Sequence, residues 1–274
     1  MRVRVIVWSV LAACGGSADP TPMFDDAGPC GDEGAHDEDG DRVGDRCDVC
    51  PAAPDPAQLD TTERATMLAF PDGVGDACDP RPKLSGDKLG AFHPFADAAD
   101  ANAWTAIGSG YAITDDAARA SGDARWLAKT REQGDALYVQ ARLAQLSSSA
   151  GGAFELALDG NGLDTGVVCT IAKDRDGDGS DELEIREVGG AVATKRVGME
   201  ITGPIVLTAR RTIDPQRRGY FFCTVTFDGG MATHQVATTD DLAVGLYTLA
   251  QTAAQTVVTS VVVYTGPTLP DENR

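Results

Sequence analysis

Residues 37–48 place aspartates at alternate positions, and this spacing constrains the chain more than any other feature. Asp37, Asp39 and Asp41 alternate, the Val43 carbonyl follows, and Asp45 and Asp48 complete the one-three-five-seven-nine-twelve pattern with which a short loop wraps oxygen ligands around a hard cation. All-oxygen donors at that spacing argue for calcium and for a loop held by an ion. A second acidic string, Asp72, Asp76 and Asp79, carries Gly73 and Gly75 in a similar arrangement. The alternative is a solvated or disordered acidic run; the cysteines and glycines in register with the aspartates favour a built structure.

The wording of this segment resembles the thrombospondin type-3 repeat. The matching strings are Asp45-Arg46-Cys47-Asp48-Val49-Cys50-Pro51, Asp55-Pro56-Ala57-Gln58-Leu59-Asp60 and Asp72-Gly73-Val74-Gly75-Asp76-Ala77-Cys78-Asp79, about a sixth of the chain. The resemblance implies an extracellular spacer with little hydrophobic core, held by calcium and disulfides. Two departures stand out. Arg42 occupies position six, where glycine is expected, and an insertion across 61–70 puts Leu68 and Phe70 where the second loop needs carboxylates. Asp60 is the nearest substitute and is not counted among the expected ligands.

The N-terminus has a basic Met1-Arg2-Val3-Arg4, an apolar stretch too short to span a bilayer, and Leu11-Ala12-Ala13-Cys14. It resembles a bacterial lipoprotein signal, which implies lipidation at Cys14 and a membrane anchor; an ordinary signal peptide cut near Ala13 is the alternative. Seven cysteines become six once Cys14 is set aside, an even set suited to an oxidising compartment and open to fifteen pairings. The repeat resemblance implies Cys50 with Cys78 and Cys30 with Cys47, leaving Cys169 and Cys223 for each other. Cysteine-ligated zinc is the rival, but Cys47-Asp48-Val49-Cys50 has no second C-x-x-C partner.

The chain has 274 residues, 42% of them hydrophobic, and a formal charge of -19. Residues 30–80 hold fourteen Asp and Glu against three Arg, an acidity that argues against nucleic acid. The expected organisation is a signal and lipobox at 1–14, a flexible linker at 15–29, the calcium-binding repeats at 30–80, a hinge at 81–90, a β-sandwich at 91–266 and a tail at 267–274. The expected location is the cell envelope of a bacterium, at the outer membrane or cell surface, after export.

From about residue 90 short alternating runs bounded by Gly, Asp and Asn read as strands and turns. Leu137, Val139, Ala141 and Leu143 alternate with polar or large residues; 154–158 and 221–227 do the same. Further strands are expected at 124–130, 166–173, 182–188, 205–213, 243–250 and 257–265. The fold class is therefore mainly β, a two-sheet antiparallel sandwich behind an irregular, disulfide-stapled segment. The order of features, from 92–104 through Tyr220-Phe221-Phe222-Cys223 to Val261-Val262-Val263-Tyr264, resembles the laminin-G and concanavalin-like jelly roll, which implies a glycan- or protein-binding module.

A retaining glycosidase needs two close carboxylates, and the nearest string, Glu155-Leu156-Ala157-Leu158-Asp159, lacks the middle one. His36, His93 and His234 have no metal-ligand spacing. No catalytic residue is assigned; the expectation is a binding or structural protein, with a glycan-processing enzyme as the alternative. Asp174, Asp176, Asp178 and Glu182 repeat the alternate-acid spacing between two expected strands, as a calcium loop or as a plain polar hairpin turn. For an extracellular glycan or protein ligand the candidates are Trp104, Tyr111, Trp126, Tyr138 and Tyr247, although an aromatic on a sandwich strand is more often core.

Overall fold

The computed structural model describes residues 36–65, 70–158, 166–187, 190, 192–214, 216, 218–238 and 245–267. Cys14, Cys30, the signal and linker, and residues 268–274 lie outside the described residues.

The alternation along the chain sets which side chains turn inward. In β5 (Ala136–Leu158) Leu137, Val139, Ala141 and Leu143 are buried, and in β10 (Gly219–Phe227) Phe221, Cys223 and Val225 are buried, all in one continuous core. Two further elements belong to that half: β9 (Ile205–Ile213), which lies between β5 and β10, and β11 (Gly230–Thr238), which forms the edge. The fold is mainly β and antiparallel, a two-layer, jelly-roll-like sandwich.

Two strands belong to both layers. The first part of β5 pairs with β9, and its last residues pair with β6 (Val167–Ala172). Strand β12 (Tyr247–Gly266) runs antiparallel to β5 along its length, beside β4 (Ala118–Ala128) at 248–258 and beside β1 (Lys88–His93) at 261–265. The register thus gives one layer in the order β11-β10-β9-β5-β12-β1. The other runs β8 (Val192–Arg196), β7 (Glu182–Glu187), β6, β5, β12, β4, β2 (Trp104–Ala106), with β3 (Ala112–Ile113) on the far part of β4. The sequence reading treats 137–143 and 154–158 as separate strands; they are two halves of one bent strand. The bend needs small residues: a Cβ on Gly152 would collide with Ser148 Cβ and come 2.6 Å from the Ala253 carbonyl oxygen.

Cys169 on β6 and Cys223 on β10 form a disulfide between the layers, with Cα atoms 5.3 Å apart. Both are fully buried.

The outer face of the first layer is also covered. Ala52, Val74 and Cys78 of the acidic segment pack on Ala136 and Tyr138 of β5 and on Val262 and Tyr264 of β12, leaving Tyr138 and Tyr264 3% and 1% exposed. That explains the large apolar side chains at positions an ordinary half-exposed strand would give to polar residues. Beside this patch Arg210 stacks over Tyr138 and Phe222, 5.0 and 4.7 Å from the ring centres. The stretch expected as a hinge at 81–90 is a packed junction. Arg81 forms a buried ion pair with Asp87, its Nη1 donates to the Pro267 carbonyl at 2.8 Å, and β1 begins at Lys88. The acidic segment is docked on the sandwich through apolar burial that the type-3 repeat resemblance does not imply.

Candidate metal centres in the acidic segment

Asp37, Asp39 and Asp41 converge, each offering one carboxylate oxygen within 4.8 Å of the others. Backbone amides fold the loop around them: Asp37 accepts from Gly40 N and Arg42 N at 2.8 and 2.9 Å, and Asp41 accepts from Val43 N and Asp55 N, both at 2.8 Å. Arg42 has φ 79, so position six is left-handed even though it is not glycine. Asp39 Oδ1 accepts from Asp41 N, whereas its Oδ2 is buried with no hydrogen-bond partner. Burial, with Asp48, Asp41 and Asp37 around it, pushes the Asp39 carboxyl up to about 6.

The other expected ligands of this loop are placed differently. Asp45 is committed to His36 Nδ1 at 2.6 Å and to Glu38 N at 2.9 Å, so it closes the base of the loop. Asp48 is buried and accepts from Cys50 N at 2.7 Å and Gln58 Nε2 at 2.9 Å. His36 Nε2 meets Asp116 Oδ1 at 2.9 Å, tying the loop to the turn before β4.

The second acidic string does not form one loop. Asp76 gathers with Asp60 and Glu63, and Asp72 and Asp79 gather with the same Glu63. Glu63 lies on a 3-10 turn, Thr62–Ala65, inside the insertion, where the repeat pattern assigns no ligand; it is fully buried between the two groups. Asp60, set aside in that reading, joins it. The available signal was the acid three residues after Asp60, as in a capping box. Asp60 Oδ2 accepts from Gly73 N at 2.8 Å, and Asp72 Oδ2 accepts from Gly86 N and Asp87 N at 2.8 and 2.7 Å. Asp60 Oδ1 and Asp79 Oδ2 are buried without hydrogen-bond partners among the described residues. Burial, reinforced by the neighbouring Glu63 and Asp87, pushes the Asp79 carboxyl up to about 8.

The disulfide Cys50–Cys78, with Cα atoms 5.5 Å apart, fastens the first loop to the second. Gly75 fits beneath it because a Cβ there would lie 2.6 Å from Cys50 Sγ and 2.7 Å from Val49 Cγ2. Cys47 is disulfide-bonded as well, and its expected partner Cys30 lies outside the described residues. With the described cysteines of the segment in disulfides, these clusters offer carboxylate oxygen only, a hard donor set suited to calcium rather than zinc.

In the sandwich, Asp174, Asp176 and Asp178 also converge within 4.8 Å, in the loop between β6 and β7, with Glu182 at the start of β7. Trp104, Tyr111, Trp126, Tyr138 and Tyr247, the candidate ligand platforms, are all buried. Four of them are core: Trp104 and Trp126 stack at 5.7 Å, Tyr111 packs on Trp126 at 5.3 Å, and Tyr247 lies edge-on to Trp104. His93 joins them through a 2.7 Å hydrogen bond between Nε2 and the Tyr247 hydroxyl, and its burial lowers its pKa to about 4. An open groove of about 450 Å³ crosses β4, β12 and β5, lined by Arg119, Ser121, Gln145, Gln255 and Thr256 among others.

No family model and no curated protein sequence matches this chain. Solved structures with a similar arrangement exist. A legume lectin-like domain from Entamoeba histolytica is 10% identical, over 60% of this chain and 90% of that one, with a TM-score of 0.48. The CBM2 module of the evolved Dit of Lactobacillus casei BL23 phage J-1 is 6% identical, over 65% and 96%, with a TM-score of 0.48. A Bacillus subtilis protein of unknown function with a galectin-like fold is 12% identical, over 67% and 100%, with a TM-score of 0.46. The fold assignment rests on the strand register and not on these likenesses.

Proposed function

We propose that this chain is an exported calcium-binding module of the bacterial cell surface. Its acidic segment is locked by calcium onto a β-sandwich that binds a glycan or a protein. The supporting observation is that Asp39 Oδ2, Asp60 Oδ1 and Asp79 Oδ2 are buried, lie within acidic clusters and have no hydrogen-bond donor among the described residues. Burying a carboxylate oxygen beside other carboxylates is costly unless a cation shares it or a proton neutralises it, and the raised pKa values of Asp39 and Asp79 record that cost for the chain alone. Asp37, Asp39 and Asp41 would hold one ion; Asp60, Glu63 and Asp76, with Asp72 and Asp79 on the far side of Glu63, would hold the other charge. Calcium supplies there the positive charge and the coordination that the chain itself lacks.

The groove across β4, β12 and β5 is the proposed ligand face. Two amides, the Ser121 hydroxyl and the Arg119 guanidinium give it hydrogen-bonding groups for a polyhydroxyl ligand. Among the described residues its lining carries no carboxylate, whereas glycoside hydrolysis needs a carboxyl pair. Lipidation at Cys14 would attach the module to the membrane. A glycan array probed with the whole chain in calcium, beside a Gln145→Ala/Gln255→Ala variant, tests the ligand reading. Binding that the double variant leaves intact would remove the groove from it, and an array with no bound glycan would leave the protein-ligand form alone.

A further inference from the structure

Away from the acidic segment, the loop joining β6 to β7 carries an acidic cluster with its own charge imbalance. Asp174, Asp176 and Asp178 are closed from within: Asp174 Oδ1 accepts from Gly179 N at 2.7 Å, Asp176 Oδ1 from Asp178 N at 3.3 Å and Asp178 Oδ1 from Ser180 N at 2.9 Å. Such turns alone would describe any polar hairpin. The observation that points to a ligand is Glu182. It is 3% exposed; its Oε2 accepts from Arg175 N at 3.1 Å, and its Oε1 is buried with no hydrogen-bond partner among the described residues. Its acidic neighbours are Asp176 and Glu184.

The nearby cations do not resolve this. Arg175 is taken by Glu184 at 2.6 Å, and Lys173 by Asp181 at 2.6 Å and the Ile201 carbonyl at 3.1 Å. Arg196, opposite Glu182 in the β7–β8 register, pairs with Asp176 and lies 2.7 Å from Asp178 Oδ2. It leaves Glu182 Oε1 unbonded. Its side chain is 61% exposed, so its pairs are of the surface kind that contribute little and release easily. Asp176 and Asp178 therefore share one loosely held guanidinium, which bonds neither Asp174 nor Glu182 Oε1, on a base fixed by Asp181, which accepts from both Asp174 N and Ile201 N.

We infer that this loop is a separate divalent-cation site, in which Arg196 stands where calcium binds and is displaced when the ion arrives. Asp174, Asp176 and Asp178 supply ligands from the loop and Glu182 Oε1 supplies one from the strand, an oxygen set that suits calcium. Arg196 then turns to solvent, and β8 exchanges a tether to the loop for a free cationic group. The site does not depend on the acidic segment.

The test is a calcium titration of the whole chain, read by hydrogen exchange of the 174–182 backbone and by the ions retained in native mass spectrometry. Calcium should protect 174–182, Glu182→Gln should retain one ion fewer, and Arg196→Ala should reach protection at calcium lower by on the order of tenfold, because the competitor is gone. Asp37→Asn/Asp39→Asn should leave the 174–182 response unchanged, which separates this site from the one at the N-terminal loop. Absence of calcium-dependent protection at 174–182 in the wild type, or an Arg196→Ala chain that needs as much calcium or more, would overturn the inference. Arg196 is exposed, so that variant tests the idea even if Glu182→Gln fails to fold.

Discussion

Arg81 and Asp87 form an ion pair whose side chains are 4% and 0% exposed, at the point where the acidic segment meets the first strand of the sandwich. The guanidinium Nε lies 3.1 and 3.0 Å from the two Asp87 oxygens, while Nη1 donates to the carbonyl of Pro267 just after the last strand. One side chain thus joins the segment, the start of β1 and the end of β12. Removing one partner of a buried pair strands the other charge, so Arg81→Ala should destabilise the chain by about 3–5 kcal/mol. Urea denaturation followed by circular dichroism checks it; a loss under about 1 kcal/mol, the size of a surface pair, would mean that the junction is loose.

The disulfide between Cys169 and Cys223 closes a loop of 54 residues between the two layers. In the chain-entropy account such a link contributes about 4 kcal/mol, so Cys169→Ala/Cys223→Ala should lose roughly that amount. Peptide mapping under non-reducing conditions should recover Cys169 with Cys223 and Cys50 with Cys78.

Acid should weaken the sandwich through His93. Burial lowers its pKa from 6.5 to about 4, so the unfolded chain takes up the proton first. Its contribution is complete above about pH 6.5 and is lost as pH falls toward 4, about 3 kcal/mol in all. His93→Gln should flatten stability between pH 6.5 and 4 relative to wild type in thermal melts; an unchanged slope would show that other groups carry the acid response.

Arg42 is exposed and left-handed at φ 79, a conformation that costs a residue with a side chain about 1–2 kcal/mol and glycine almost nothing. Arg42→Gly should stabilise the loop by about 1 kcal/mol and tighten calcium, since a cation also leaves its vicinity. Calorimetric titration of both chains checks the second point; weaker binding by the glycine variant would contradict the placement of this turn at the ion.

The sandwich was legible because the period-two pattern of Leu137, Val139, Ala141 and Leu143, or of Phe221, Cys223 and Val225, is itself the mark of a strand with one face in a core. Strand β11 was not, since Gly230–Thr238 is an edge with little apolar alternation. The docking of the acidic segment was hidden for a different reason: Tyr138 and Tyr264 look like ordinary outward residues until Ala52 and Val74 are seen on top of them. Of the first loop, Asp37, Asp39 and Asp41 meet as their spacing implies, while Asp45 turns to His36, a partner that spacing does not register. Glu63 was missed because its role depends on where the inserted turn folds back, between acids that lie nine to sixteen residues further along.

The most direct test of a calcium-locked acidic segment is hydrogen exchange across 36–80 in the whole chain, with calcium and with chelator. An ion present at a hundred times its dissociation constant adds about 2.7 kcal/mol to the state that binds it. Calcium should therefore slow exchange through the segment by on the order of a hundredfold, and should also protect the outer face at Tyr138 and Tyr264 that the segment covers. Equal exchange across 36–80 in the two conditions would mean that disulfides and apolar docking hold the segment alone, and that the acidic clusters bind no ion.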